Sequence, residues 1–225
     1  MTLIGTTDVP FSGDNNHVAI TDEISYLCDA ASEYLEFDIS PDDVLSTYSG
    51  VRPLYDDQSA NASAVTRDYV LSLEEDGGAP ILSVYGGKIT TYRKLSENVM
   101  KLMKPFLPDM EADWTETAKL PGGNIPGADF DAYLGTLKIR FSWVPDDMLH
   151  RLARTYGTRT EFILKDASSL ADLGDDFGGG LYARELEYAQ QNEFARTADD
   201  VLMRRTKLGL HLDANQIAAV KAAIG

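Results

Sequence analysis

The hydrophobic positions change rhythm along the chain, and the change divides it. Tyr69-Val70-Leu71-Ser72-Leu73-Glu74 and Ile81-Leu82-Ser83-Val84-Tyr85 are short runs rich in β-forming residues. Asp76-Gly77-Gly78 between them has hairpin-turn chemistry, so the pattern predicts an antiparallel strand pair. From Thr91 the spacing lengthens. Leu95, Val99 and Leu102 recur at intervals of four and three, which predicts an amphipathic helix with one face inward. The junction, Gly86-Gly87-Lys88-Ile89-Thr90-Thr91, therefore reads as strand, glycine turn and helix start. The first N–H groups of such a helix have no partner within it, and together with its dipole they attract negative charge.

Upstream, Thr21-Asp22-Glu23 predicts a cap and a helix to about Glu36, with Ile24, Leu27, Cys28, Ala31 and Leu35 on one face. Two further strands are expected from β-forming composition, at residues 2–7 and 44–49, the second ending at Gly50-Val51-Arg52-Pro53-Leu54. The first has no lead-in, as if upstream structure preceded it. Residues 55–64 are small and polar, as in a surface loop. Downstream, Pro105, Pro108 and the run Pro121-Gly122-Gly123-Asn124-Ile125-Pro126-Gly127 mark a linker. Beyond it the pattern turns helical, with helices predicted at 129–141, 145–156, 160–165, 182–194, 197–208 and 213–224. The expected fold is α+β: residues 1–108 with a mostly antiparallel sheet, a linker over 109–127, and an all-α domain over 128–225.

Charge narrows the partners. The 225 residues carry 20 basic and 36 acidic side chains, a formal net charge of −16. That balance argues against a nucleic-acid surface and against polybasic docking to a membrane. One cysteine, Cys28, rules out an internal disulfide and falls within an apolar helical pattern, as a buried inert thiol would. His17, His150 and His211 lack ligand spacing, so no metal site is expected. No apolar run approaches the length of a membrane span.

Three cations stand where they can carry chemistry. Arg52 follows a predicted strand and a glycine, where its planar fork can take a carboxylate or phosphate or form a structural ion pair with one of the many acids. Arg67 opens the strand that pairs with the one leading to Gly86, so both arginines are expected at one end of a small sheet, as an anion site or neutralised internally. Lys88 lies between the glycine turn and the helix start. A nucleotide triphosphate loop is excluded here: the G-x-x-x-x-G-K-[ST] pattern finds Leu82 where its first glycine belongs and Ile89 after the lysine. Arg204-Arg205-Thr206-Lys207 ends a predicted helix that begins with acids, which matches the helix dipole and needs no ligand.

Five ordered segments carry a resemblance: residues 2–8 (Thr-Leu-Ile-Gly-Thr-Thr-Asp), 47–54 (Thr-Tyr-Ser-Gly-Val-Arg-Pro-Leu), 66–69 (Thr-Arg-Asp-Tyr), 86–95 (Gly-Gly-Lys-Ile-Thr-Thr-Tyr-Arg-Lys-Leu) and 204–209 (Arg-Arg-Thr-Lys-Leu-Gly). In this order they resemble the C-terminal half of FAD-dependent, quinone-linked glycerol-3-phosphate dehydrogenases. The resemblance implies the end of an FAD- and substrate-binding domain followed by a helical cap. It implies that Gly86, Gly87, Lys88, Ile89 and Thr90 face the flavin, that Arg52, Arg67 and Lys88 hold sn-glycerol 3-phosphate, and that Lys88 acts beside the substrate. It also implies a quinone acceptor, a cytoplasmic enzyme held peripherally on the inner membrane in its full-length form, and compatibility with a homodimer. The family's G-x-G-x-x-G fingerprint is absent. The resemblance thus implies a fragment holding one wall of the site, inactive by itself. Two other readings stand beside it: an amino-acid oxidase that binds a carboxylate through an arginine, and a non-catalytic assembly module.

Overall fold

A computed structural model describes residues 2–9, 19–52, 54–55 and 68–224. The chain divides into two compact units, residues 1–116 and 117–225, each considered by itself.

The first unit contains helix α1 (Thr21–Ser32), strands β1 (Tyr69–Glu74) and β2 (Ile81–Gly86), and helix α2 (Tyr92–Met103). The strands pair antiparallel with Tyr69 opposite Gly86 and Glu74 opposite Ile81, the hairpin that the alternation predicts. Residues 2–9 and 44–50 are irregular and form no strands. Their β-rich composition does not suffice, because a strand needs a neighbour for its N–H and C=O groups, and the described sheet contains only β1 and β2. Helix α1 is also shorter than its pattern predicts, and Thr21 is not its cap. The Glu23 carboxylate reaches back to the Ile20 N–H (3.2 Å), while the Thr7 hydroxyl donates to the same carboxylate (2.6 Å).

Few of this unit's described residues are buried. Of the predicted inward face of α2, Leu95 and Val99 are half-buried and Leu102 is exposed. The buried side chain of α2 is Glu97, which receives hydrogen bonds from Arg93 (2.7 Å), Lys94 (2.9 Å) and the Thr115 hydroxyl (2.6 Å). The Thr115 bond is the strongest influence lowering its carboxyl from 4.5 to about 2, with Lys94 and Arg93 also contributing. A carboxyl depressed by folding stabilises the fold above its unfolded pKa. That contribution is lost as pH falls from about 4.5 towards 2. Glu97→Gln is accordingly expected to flatten the acid limb of thermal melting over that window, read by circular dichroism from pH 6 to about 2.

The second unit is helical: α3 (Phe130–Arg140), α4 (Asp146–Tyr156), α5 (Thr160–Leu164), α6 (Ala183–Asn192) and α7 (Ala214–Ile224). Asp129 caps α3 by accepting from the Ala132 N–H (3.0 Å). Gly157, at φ +53°, ends α4. The predicted helix over 197–208 is instead centred on a π-helical turn, Asp200–Arg205. There the Val201 carbonyl accepts from both the N–H (2.9 Å) and the hydroxyl (2.8 Å) of Thr206. Leu137, Leu149, Leu152 and Leu164 centre one apolar cluster, and Leu181, Val201, Leu202 and Val220 a second. An ion pair is buried beside them. Arg151 donates to both carboxylate oxygens of Glu185 (2.7 Å each) and to the Gly180 carbonyl (2.7 Å), and the Tyr156 hydroxyl donates to Glu185 (2.9 Å).

Candidate functional site

The strand-to-helix junction forms as the sequence predicts. Strand β2 ends at Gly86, and Gly86 (φ +69°) and Gly87 (φ +94°) both occupy the left-handed region where only glycine is unstrained. Lys88 is extended (φ −116°, ψ 148°), and a single 3₁₀ turn, Ile89–Thr91, leads into α2. The Thr91 N–H and hydroxyl both bond the Lys88 carbonyl, at 3.0 and 2.9 Å. Lys88, Ile89 and Thr90 thus precede the first helical hydrogen bond, and all three are exposed. Their main-chain N–H groups are the donors a helix start leaves open.

Close approach explains the first glycine. A Cβ on Gly86 would stand 3.0 Å from the Tyr55 nitrogen and 3.2 Å from the Asp68 carbonyl oxygen. On Gly87 it would stand 3.3 Å from the Tyr69 Cβ and 3.6 Å from Leu95. Tyr55 lies three residues after Arg52, and Asp68 directly follows Arg67. The backbone of Gly86 is therefore where Tyr55 and Asp68 meet. Each extended residue spans about 3.3–3.6 Å, so Arg52 begins within roughly 10 Å of chain from this contact. Tyr55 also packs obliquely on Tyr85, with ring centroids 6.1 Å apart.

Arg52 itself forms an ion pair with Asp8. The pair is exposed, and such pairs contribute about 0–1 kcal/mol, so a phosphate or carboxylate can compete for the guanidinium. Asp8 is the site neighbour that residue-by-residue reading did not single out, although it closes the first of the five motifs. Arg67 lies outside the described residues, as does His17. Lys88 is exposed at the junction, within two residues of Gly86. Among the described residues no cluster of His, Cys, Asp and Glu is arranged to hold a metal ion.

Residues 114–225 match the family profile of the C-terminal domain of alpha-glycerophosphate oxidase, so the helical half is similar to that domain. Almost the whole chain also aligns with longer proteins. It is 44% identical over 220 residues to the aerobic glycerol-3-phosphate dehydrogenase of Escherichia coli (strain K12), covering 97% of this chain and 44% of that protein. It is 47% identical over 219 residues to the glycerol-3-phosphate dehydrogenase of Pseudomonas tolaasii, covering 96% and 42%. It is 46% identical over 218 residues to the D-erythritol 1-phosphate dehydrogenase of Brucella abortus (strain 2308), covering 96% and 43%. The chain thus spans less than half the length of these relatives.

Proposed function

We propose that this chain forms one wall of the site of an FAD-dependent dehydrogenase acting on a polyol phosphate, with sn-glycerol 3-phosphate as substrate and dihydroxyacetone phosphate as product. The observation that supports the reading is the approach of Tyr55 and Asp68 to Gly86, beside Lys88 and a helix start. Arg52 and Arg67 bind the substrate phosphate, each as a bidentate fork, and Lys88 orients the polar end of the same substrate. The donor set fits a flavin. Main-chain N–H groups of Lys88, Ile89 and Thr90, ahead of the first helical bond, suit the polar edge of the ring, where negative charge develops on reduction. Gly86 and Gly87 keep side chains away from that edge. The bound flavin supplies the hydride acceptor, and the chain's own residues hold the substrate carbon towards it.

Onward passage of electrons to a quinone, and peripheral contact with the inner membrane from the cytoplasmic side, belong to the same reading. No helix among the described residues is long and apolar enough to cross a membrane. A second substrate, D-erythritol 1-phosphate, is favoured by the 46% identity to the Brucella abortus enzyme of that name. It carries the same phosphate on a longer polyol, so the arginines and Lys88 serve either substrate.

The test is direct. The purified 225-residue chain is expected to be colourless and to leave sn-glycerol 3-phosphate unoxidised. The same residues exchanged for the matching stretch of the Escherichia coli relative are expected to give a yellow protein that oxidises it. A yellow, active isolated chain, or an exchanged protein that folds with flavin and oxidises neither polyol phosphate, contradicts the reading.

A further inference from the structure

Two glycines lock the segment before α3 onto the end of α4. Gly122 (φ +86°) and Gly157 (φ +53°) cross so closely that a Cβ on Gly122 would collide with the Tyr156 carbonyl oxygen, and one on Gly157 with the Gly122 carbonyl oxygen. Only glycine fits either position. The Thr158 N–H fastens the crossing by donating to the same Gly122 carbonyl (3.0 Å). The crossing walls a cavity of about 370 Å³, lined by Pro121, Gly122 and Ile125, by the last turn of α4 and by the end of α6. Small-molecule sites begin at roughly this volume, about 300 Å³.

Two arginines line this cavity without a carboxylate partner. Arg154 forms no hydrogen bond or ion pair among the described residues and lies over the Phe130 ring, 5.1 Å from its centroid. Arg159 lies over the rings of Phe162 (4.6 Å) and Tyr188 (5.5 Å), and it donates to neutral oxygens, the Tyr188 hydroxyl (3.0 Å) and Asn192 Oδ1 (3.1 Å). A ring holds a guanidinium by its face and leaves the N–H edge open. Elsewhere in this unit Lys138, Arg140, Arg151 and Arg204 each pair with an acid. Glu193 is the one acid among the residues lining the cavity. Burial raises its carboxyl pKa, and Arg205 opposes that rise more than Arg159 does. The Glu193 charge is thus answered chiefly by Arg205, which leaves Arg154 and Arg159 for a ligand.

Two uncompensated forks define the ligand. A carboxylate brings a single charge, whereas a phosphate monoester brings about −1.5 to −2 at pH 7 and three strong acceptor oxygens. We propose that this cavity of the helical unit is a binding site for a phosphate group, that of a small phosphate monoester or of inorganic phosphate, gripped by the Arg154 and Arg159 guanidinium groups. The Tyr188 hydroxyl, which accepts from Arg159, turns its own proton to the same anion. The Gly122–Gly157 crossing keeps the cavity open by placing bare backbone where side chains would fill it. The inference stands or falls without the proposed dehydrogenase activity.

The experiment titrates the 225-residue chain with inorganic phosphate and with methyl phosphate at constant ionic strength, followed by the amide NMR signals. The chain carries Arg52→Ala, so that the other candidate anion fork takes no part. Saturable shifts confined to residues 121–125, 153–159 and 188–193 are expected. Chloride and dimethyl phosphate, each with a single charge, are expected to bind more weakly. Saturation by both phosphates supports a monoester site, and saturation by inorganic phosphate alone supports the free ion as ligand. Arg154→Gln gives up no hydrogen bond or ion pair within the chain, so it is expected to melt close to the parent and to weaken binding roughly 10- to 100-fold. Arg159→Lys, which retains the charge but loses the fork, is expected to weaken binding less than Arg159→Gln. Shifts that fail to saturate, that chloride reproduces, or that persist unchanged in Arg154→Gln overturn the proposal.

Discussion

Glu185→Ala is expected to destabilise the helical unit by about 3–5 kcal/mol, the range for removing one partner from a buried ion pair. Glu185 is 2% exposed and is the common acceptor for Arg151 on α4 and Tyr156 at the end of the same helix. Burial opposes the Arg151 charge, and the Glu185 carboxylate overrides it, so the guanidinium is held above its ordinary pKa. Burial, followed by the Glu185 charge, likewise pushes the Tyr156 hydroxyl well up. Truncation leaves an uncompensated cation, an unpaired phenol and a void together. Arg151 also ties α4 to the Gly180 carbonyl, so the loss spreads into the turn before α6. A fall in melting temperature of more than about 10 °C is the expected reading for a unit of this size. Glu185→Gln retains the shape and one acceptor oxygen, and is expected to lose distinctly less. Equal melting of Glu185→Ala and the parent would mean that this network contributes nothing.

How far the sequence carried the fold depended on which hydrogen bonds an element needs. Helices satisfy their own backbone, so α3 and α4 were legible from composition and the Gly157 stop. The β1–β2 hairpin was legible because its partner lies a few residues away across Asp76-Gly77-Gly78. Residues 2–7 and 44–49 have equally β-rich composition, but nothing local supplies a partner strand, and the described chain there is irregular. The π-helical turn at Asp200–Arg205 and the left-handed backbone of Lys207 (φ +61°) carry no signal in residue type, since lysine disfavours that conformation. The buried Arg151–Glu185 pair was invisible for a related reason. Two charges 34 positions apart meet only through tertiary packing.

The candidate site was legible to a different depth. Gly86-Gly87 before Lys88 announces a glycine turn, and both glycines lie there at positive φ. The sequence left Arg52 with two roles, anion fork or structural ion pair, and the structure contains its pair with Asp8. An exposed pair of that kind is weak enough to be exchanged for a substrate phosphate, so the two roles are compatible. What no spacing argument could supply is the contact of Tyr55 and Asp68 with the Gly86 backbone. It brings Asp68, the residue after Arg67 in sequence, and Tyr55 to the glycine turn.

The largest expected functional effect lies at Arg52. With residues 1–225 exchanged into the Escherichia coli relative, Arg52→Ala removes a charge-assisted fork worth about 1.5–3 kcal/mol, or roughly 10- to 100-fold. If the fork holds the phosphate in substrate and transition state alike, the loss falls on KM and leaves kcat nearly unchanged. Lys88→Ala, at the residue proposed to orient the substrate, is expected to lower kcat as well. Asp8→Asn frees the Arg52 guanidinium from its competitor and is expected to lower KM slightly. The KM for sn-glycerol 3-phosphate in the exchanged enzyme, with and without Arg52, is therefore the decisive measurement. A KM raised roughly 10- to 100-fold by Arg52→Ala, with flavin content intact, is the predicted result. An unchanged KM in an enzyme that still holds its flavin would contradict the placing of the phosphate at this wall.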